Sequence, residues 1–348
     1  MMPREIIQAV RDLYHGMPPQ EDISEILLAH GCEYLLSKHG TSSYKKQQLL
    51  ARVVNNAAVK ERYKACIPLF SQTEIPYAII KGAVLSQAMY GDPLLRSSGD
   101  IDILIRRQDA DAVKNLLLSS GFVQGRVTED GILPFSRREI LFQTAMSHQT
   151  APYVKETGNR LCPYINVDIN MDILWGESDE RADMSLVLSH TVRSELFGIP
   201  FQKLDPEMEF ISLCLHHYKD MNSIYLLSSG SLRLGLYCDI YDYLKRVAPN
   251  VTRLLALCQA LNIGRYLYTC LYQVQELFED PALDCYLNAL QDSKDKVLLH
   301  TFGLNDQERK PWGLSLPERL FHPELAEYLQ GLLTEEEKEK IQINRTMM

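Results

Sequence analysis

Two aspartates near position 100 have the spacing of a metal site. Asp100 and Asp102 open the segment Asp100–Ile105, in which isoleucine occupies positions 101, 103 and 105. In a strand, residues two apart share one face, with Cα atoms about 6.6 Å apart. Neighbouring carboxylates repel each other, and a hard divalent cation relieves that repulsion because it prefers oxygen ligands. The pair therefore indicates a site for Mg²⁺, or for Mn²⁺ in its place.

The residues that precede this pair favour a functional interpretation over a chance match. A bare D-x-D pattern is frequent, and a polar loop leading into a buried strand would also produce it. However, the apolar run Tyr77–Ile80 is typical of a buried strand, and Lys81 and Gly82 then lead into a predicted helix through Tyr90. Helix packing would explain a glycine there, but a glycine also lets the backbone approach a phosphate at a helix N-terminus. We expect a phosphate site beside the acidic pair.

A third carboxylate comes from a later segment. Over Tyr164–Leu174, apolar residues at odd positions alternate with polar residues at even positions, which predicts a half-buried strand. Asp168 lies on its polar face and is our candidate, although Asp172 shares that face and an exposed strand face would explain both. Two aspartates on one strand and one from a neighbour are the arrangement that two-metal nucleotidyl transfer requires.

Two stretches of sequence together resemble a known family. The run KGAVLSQAMYGDPLLRSSGDIDILI, followed by INVDINMDIL, is similar to the uncharacterised bacterial nucleotidyltransferase family of the polymerase-β-like superfamily. The resemblance implies an α+β nucleotidyltransferase fold, with a small mixed β-sheet and helices, and an NTP as the donor substrate. It also implies roles for six residues. Asp100, Asp102 and Asp168 would be the catalytic metal ligands, and Lys81, Gly82 and Arg96 would lie near the triphosphate.

The chain departs from the pattern of that family at three points. Gly82-Ala83 stands where the superfamily usually has Gly-Ser, so one hydroxyl contact to phosphate is missing. Asn170 stands where the family often has histidine, and the spacing from Gly82 to Asp100 is longer than in the simplest members. None of these departures removes a carboxylate.

The spacing of apolar residues along the sequence predicts three regions. Residues 1–73 and 206–348 have the apolar spacing of helices, and residues 74–205 have the mixture expected of an α/β core. Within the core, residues 122 to about 205 are predicted to be rich in strands. The predicted helices of the flanks are Ser43–Phe70, Glu207–Lys219, Leu232–Val247, Val251–Leu261, Arg265–Phe278 and a charged tail near Pro323–Ile343.

The amino-acid composition favours some classes of binding partner and one cellular compartment over others. The 348 residues are 46% hydrophobic and 23% charged, with a net charge of −9. An acidic surface disfavours long nucleic acid, so we expect a small molecule, a peptide or a protein as acceptor. Neither an apolar stretch of about 18 residues nor a signal-peptide core is visible, so the sequence predicts a cytoplasmic protein without membrane contact. The eight cysteines form no C-x-x-C pair, which favours free thiols over zinc or disulfides.

Other interpretations remain open at this point. The missing hydroxyl and the helical flanks would suit a catalytically silent nucleotide-binding or scaffold protein with the same fold. A glycosyltransferase with a D-x-D site is disfavoured, because there the apolar strand normally precedes the acidic pair. His216 and His217 are adjacent on a predicted helix, where side chains diverge by about 100°, so at most one of them could face a cleft. Packed or solvent-facing histidines are the favoured interpretation.

Overall fold

Two compact units make up the chain. The computed structural model describes residues 2–32, 34–35, 46–96, 98–178 and 180–347. One unit, here called the sheet unit, contains Tyr44–Ser212; the other, the helical unit, contains Met1–Ser43 and Leu213–Thr346. The two units are defined by the contacts within each of them, not by their secondary structure. The three regions 1–73, 74–205 and 206–348 therefore stay a prediction.

A six-stranded sheet forms the centre of the sheet unit. Its strands follow the order β1-β2-β6-β5-β3-β4, and all neighbours are antiparallel except β2 and β6, which are parallel. A separate hairpin consists of β7 and β8. The bounds are β1 Tyr77–Ile80, β2 Ile101–Ile105, β3 Val123–Thr128, β4 Gly131–Pro134, β5 Tyr153–Asn159, β6 Cys162–Asn170, β7 Thr191–Leu196 and β8 Ile199–Leu204.

One long helix, Lys46–Ser71, packs on this sheet. Its apolar face, which includes Tyr63, Ile67 and Phe70, is buried in one core cluster with the isoleucines at positions 101, 103 and 105 of β2. Pro68 lies in the last turn, where it removes only one intrahelical hydrogen bond before the helix ends. The predicted helix Ser43–Phe70 is confirmed from residue 46, and its first residues lie outside the described part of the chain.

Four shorter helices lie entirely within the described part of the sheet unit. The predicted strand-rich stretch 122–205 contains two of them, so it is more mixed than expected. Arg137–Met146 is helical because Ser136 accepts a hydrogen bond from the Glu139 amide while the Glu139 carboxylate accepts one from the Ser136 amide, which completes a capping box. The four helices are Gly82–Tyr90, Ala110–Ser119, Arg137–Met146 and Met184–Ser189.

The remainder of the described chain is largely helical, as its apolar periodicity predicts. Four of the predicted helices are confirmed to within three residues at each end, and the charged tail is divided into two helices. A short hairpin pairs β9 Thr301–Phe302 with β10 Lys310–Pro311. The helices are Pro3–Tyr14, Ser24–Ala29, Pro206–Asn222, Ile224–Leu227, Leu234–Arg246, Val251–Ala260, Gly264–Phe278, Asp284–Ala289, Lys296–His300, Leu316–Leu320, Leu325–Leu332 and Glu335–Met347.

The α+β fold class predicted from the sequence is therefore confirmed. All eight cysteines are free thiols, and every one except Cys285 is buried. Among the described residues, no helix combines the length and the apolar character that crossing a membrane would require.

Candidate active site

Parallel pairing of β2 with β6 brings two of the predicted carboxylates together. Asp102 and Asp168 are direct partners in the register of these strands. Partners in a parallel pair project their side chains to the same face of the sheet. Asp100 lies just before β2, so the acidic pair precedes the apolar part of the strand. This order is the opposite of the one expected of a nucleotide-sugar D-x-D site.

Burial and mutual repulsion act on this acidic group. Asp102 is only 7% exposed, and Asp100 and Asp168 are half-buried. Burial raises the pKa of Asp100, and the neighbouring Asp102 carboxylate raises it further, whereas the cations Lys81 and Arg62 act against this rise. These two cations therefore offset only part of the effects that raise the pKa of Asp100.

Lys81 contacts the acidic group directly. Antiparallel pairing of β1 with β2 sets Ile80 opposite Asp102, and Lys81 is the next residue. Its Nζ lies 2.8 Å from Asp102 Oδ1. The Lys81 backbone has a φ of 58° and a ψ of −156°, a conformation that costs a residue with a side chain about 1–3 kcal/mol. Strain of this size at a turn is typical of a functional position, because surrounding structure must maintain it.

Gly82 begins the helix Gly82–Tyr90 in a crowded position. Its φ is +46°, and a Cβ atom built there would lie 2.7 Å from Tyr63 Oη and 2.8 Å from Ser98 Oγ. Tyr63 Oη accepts a hydrogen bond from the Ala83 amide at 3.2 Å. Only glycine fits at this turn, for reasons of both conformation and space.

Ser98 connects the long helix to the acidic pair. Its hydroxyl donates to the Asp100 carbonyl at 2.9 Å, and its own carbonyl accepts from Arg62 Nη1 at 2.7 Å. Burial raises the pKa of Tyr63, which keeps the phenol neutral. These three residues were not predicted from the sequence, because nothing in the local pattern of the long helix or of the loop indicates that they meet.

Asn170 holds Asp102 in place. Its Nδ2 donates to Asp102 Oδ1 at 3.1 Å, and its Oδ1 accepts from Gln149 Nε2 at 2.9 Å. The Gln149 amide therefore fixes which way the buried Asn170 amide faces. Asn170, which stands where the family that the sequence resembles often has histidine, thus orients the Asp102 carboxylate.

Asp172 is engaged elsewhere. It lies beyond the end of β6, and its Oδ1 accepts hydrogen bonds from the Leu174 amide at 2.9 Å and from the Ala182 amide at 3.4 Å. Burial raises its pKa. The alternation over Tyr164–Leu174 thus continues past the strand, which ends at Asn170 because Asp172 forms a turn with its own backbone.

Arg96 lies on the loop between the helix Gly82–Tyr90 and β2. Its amide donates to Ser86 Oγ at 3.1 Å, and Ser86 in turn donates to the Asp92 carbonyl at 2.6 Å. These bonds tie the loop to the helix. The contact of the Arg96 guanidinium with a triphosphate stays a prediction.

The donor set fits a hard divalent cation. Asp102 and Asp168 are partners on two paired strands, and Asp100 lies just before one of them. The Asp102 charge that helps to raise the pKa of Asp100 is a repulsion that such a cation would relieve. Oxygen ligands of this kind, together with substrate phosphates, are those that Mg²⁺ prefers.

A protein family and a solved structure are similar to this chain. No curated protein matches the chain. The crystal structure of an antigenic nucleotidyltransferase-like protein from Paracoccidioides brasiliensis is 18% identical, over 70% of this chain and 93% of that one, with a TM-score of 0.33. A sequence model of the family described as "Uncharacterised nucleotidyltransferase" matches residues 24–279. Because the match covers well over half of this chain, the chain belongs to this nucleotidyltransferase family.

Proposed function

We propose that the chain transfers a nucleoside monophosphate from an NTP to a hydroxyl group, or to an amine, of an acceptor molecule, with Asp100, Asp102 and Asp168 holding Mg²⁺. The observation that carries the proposal is the register of β2 and β6, which sets Asp102 beside Asp168 while Asp100 precedes the same strand. Bound Mg²⁺ would neutralise charge on the triphosphate and lower the pKa of the attacking hydroxyl.

The residues around the carboxylates have separate tasks in this proposal. Lys81 contributes a positive charge to the phosphates, and the strained turn at Gly82 brings the backbone of a helix N-terminus close to them. Asn170 orients Asp102 through its hydrogen bond, and Ser98 fixes the backbone of Asp100. Arg96 is a further candidate for contact with the triphosphate.

Charge supports a choice of acceptor class. The net charge of −9 disfavours a long nucleic acid, since neutralisation of phosphates needs clustered lysine and arginine. A small molecule, a peptide or a protein is the acceptor that we propose.

The experiment incubates the purified chain with Mg²⁺, an α-labelled NTP and a panel of hydroxyl-bearing acceptors. It measures transfer of the label to each acceptor and, in parallel, the release of pyrophosphate. Asp102→Ala should abolish both signals. Asp111→Ala is the control, since Asp111 is an exposed residue of the helix Ala110–Ser119 and should change neither. Transfer that survives in Asp102→Ala would contradict the proposal.

A catalytically silent nucleotide-binding or scaffold protein is the second candidate. One observation favours it: the Ala83 amide at the start of the helix already donates to Tyr63 Oη, so it is engaged when a phosphate would need it. In that case calorimetry should detect NTP binding with Mg²⁺, and no acceptor should give pyrophosphate release. Any turnover would exclude this candidate.

A further inference from the structure

A second group of metal-binding side chains lies in the helical unit. His216, His217 and Asp220 belong to the helix Pro206–Asn222, and one ligand atom from each lies within 4.8 Å of the others. His216 Nε2 and Asp220 Oδ2 are 3.5 Å apart, one helical turn from each other. Packed or solvent-facing histidines were expected from the sequence, and His217 is indeed buried. The ring centroids of the two histidines are 5.5 Å apart.

His217 carries the second observation. It is 1% exposed, and its Nε2 lies 3.0 Å from Asp239 Oδ2. A carboxylate only accepts hydrogen bonds, so Nε2 bears a proton, and in a neutral ring Nδ1 carries a lone pair. Among the residues that the structure describes, Nδ1 has no hydrogen-bond partner. A buried polar atom left without a partner lowers the stability of the fold, and a bound ligand would remove that cost.

The contact between Asp239 and His217 is also typical of a metal site. Metal-binding histidines usually donate their other N–H to a carboxylate or a carbonyl, which fixes the tautomer and the orientation of the ring. Asp239 is itself 5% exposed and lies on another helix, Leu234–Arg246. The pair Asp239–His217 therefore presents a prepared nitrogen ligand.

We propose that His216, His217 and Asp220 bind a divalent cation of the zinc class, with Asp239 orienting His217. Two imidazole nitrogens and one carboxylate suit Zn²⁺ better than Mg²⁺, which prefers oxygen ligands. The metal–ligand lengths of zinc require ligand atoms about 3.3 Å apart in a tetrahedral site. The pair His216–Asp220 meets this requirement at 3.5 Å, and a ligand atom of His217 lies within 4.8 Å of both. Three protein ligands leave one coordination position for water or another ligand.

This site does not depend on the proposed nucleotidyl transfer. Its ligands belong to the helical unit, and the carboxylates of the candidate active site belong to the sheet unit. A cation on one helix, with its orienting carboxylate on another, would link the helices Pro206–Asn222 and Leu234–Arg246. Bound Zn²⁺ should therefore raise the thermal stability of the chain.

The test is a calorimetric titration of the chelator-stripped full chain with Zn²⁺ alone, in a Cys285→Ser background that removes the exposed thiol. We expect one binding equivalent and a rise in Tm. His216→Ala and Asp220→Asn should each weaken binding at least about tenfold. Both positions are partly exposed, so these variants should fold even where His217→Ala does not.

A matched control and a spectroscopic measurement make the result decisive. His190 also pairs with a carboxylate, that of Asp205, but belongs to no cluster of three ligands among the described residues; His190→Ala should leave zinc affinity unchanged. X-ray absorption should detect nitrogen and oxygen neighbours at about 2.0–2.2 Å. Sulfur neighbours, or unchanged zinc affinity in both His216→Ala and Asp220→Asn, would overturn the proposal.

Discussion

The ammonium of Lys81 lies 2.8 Å from Asp102 Oδ1, and both side chains are largely shielded from solvent, with 15% and 9% of their surface exposed. Asn170 donates to the same oxygen. A cation that takes Asp102 as a ligand would compete with Lys81 for this carboxylate. Release from Asp102 would then allow the ammonium to bind the phosphates of the nucleotide. The ion pair thus couples the carboxylates to the residue proposed for the triphosphate.

Lys81→Met should destabilise the metal-free chain, because it leaves Asp102 charged and buried. We expect the free energy of unfolding to fall by about 2 kcal/mol, below the loss of roughly 3–5 kcal/mol for a fully buried pair, since both side chains keep some solvent contact. Denaturant unfolding monitored by circular dichroism measures the change. Asp102→Asn in the same chain should recover part of it.

The control for this variant is Lys338→Met. Lys338 pairs with Glu335 at 2.7 Å, but the Glu335 side chain is 90% exposed. Exposed pairs contribute little, so the free energy of unfolding should change by less than about 0.5 kcal/mol. Equal losses in the two variants would show that burial of the Lys81–Asp102 pair has no energetic consequence.

Gly82→Ala should be far more disruptive than an ordinary glycine substitution. The new Cβ would push on the Tyr63 and Ser98 hydroxyls, which bond the Ala83 amide and the Asp100 carbonyl. Conformational strain and the weakened buried hydrogen bonds together should cost about 3 kcal/mol. The affinity for Mg²⁺ and NTP should fall as well, because the backbone of Asp100 moves.

Gly91→Ala provides the comparison. Gly91 has a φ of +70° but no neighbour within 4 Å of a built Cβ atom, so the substitution introduces strain without a clash. We expect a loss of about 1 kcal/mol in the free energy of unfolding and unchanged nucleotide affinity. If Gly82→Ala behaved like Gly91→Ala, the crowding at Gly82 would have no role.

The thiols should differ sharply in reactivity. Burial raises the pKa of Cys66 and of Cys258 to about 12, so both are protonated at pH 8 and, being buried, are shielded from reagents. Cys285 is exposed. Brief treatment with iodoacetamide at pH 8, followed by peptide mass spectrometry, should therefore find the label on Cys285 in the folded chain. All eight cysteines should react after denaturation. Rapid labelling of Cys66 in the folded chain would contradict this prediction.

Local sequence patterns correctly predict several strands and helices of the fold. The apolar run Tyr77–Ile80 is β1, and the D-x-D segment is β2 apart from Asp100. These predictions succeed because strand and helix periodicities are properties of neighbouring residues. The candidate carboxylates were predicted from the same kind of pattern, although Asp100 lies just before β2 and not within it.

What the sequence could not supply is the set of contacts between distant residues. The register that sets Asp102 beside Asp168 depends on packing across the sheet, and Tyr63 reaches Gly82 from another helix. Periodicity also fails to predict the end of a strand where a side chain takes the place of a neighbouring strand as hydrogen-bond partner of the backbone. Asp172 satisfies the alternation of Tyr164–Leu174, yet its carboxylate accepts the Leu174 amide and the strand has already ended.

That difference between Asp168 and Asp172 yields the sharpest prediction for the candidate site. Asp168→Asn removes a charge beside Asp102 and should weaken binding of Mn²⁺, used as a spectroscopic substitute for Mg²⁺, by about a hundredfold, since a metal ligand is lost. Asp172→Asn keeps a carbonyl oxygen that can accept the Leu174 and Ala182 amides. Its Mn²⁺ affinity should therefore stay within about threefold of the wild-type value.

Electron paramagnetic resonance of free Mn²⁺, with and without a non-hydrolysable NTP, measures both affinities. The raised pKa of Asp172 means that burial disfavours its charge, so Asp172→Asn should leave the free energy of unfolding unchanged or slightly higher at neutral pH. Loss of Mn²⁺ binding in Asp172→Asn but not in Asp168→Asn would move the third carboxylate to Asp172. In that case the metal would have to lie beyond the end of β6 instead of between two paired strands.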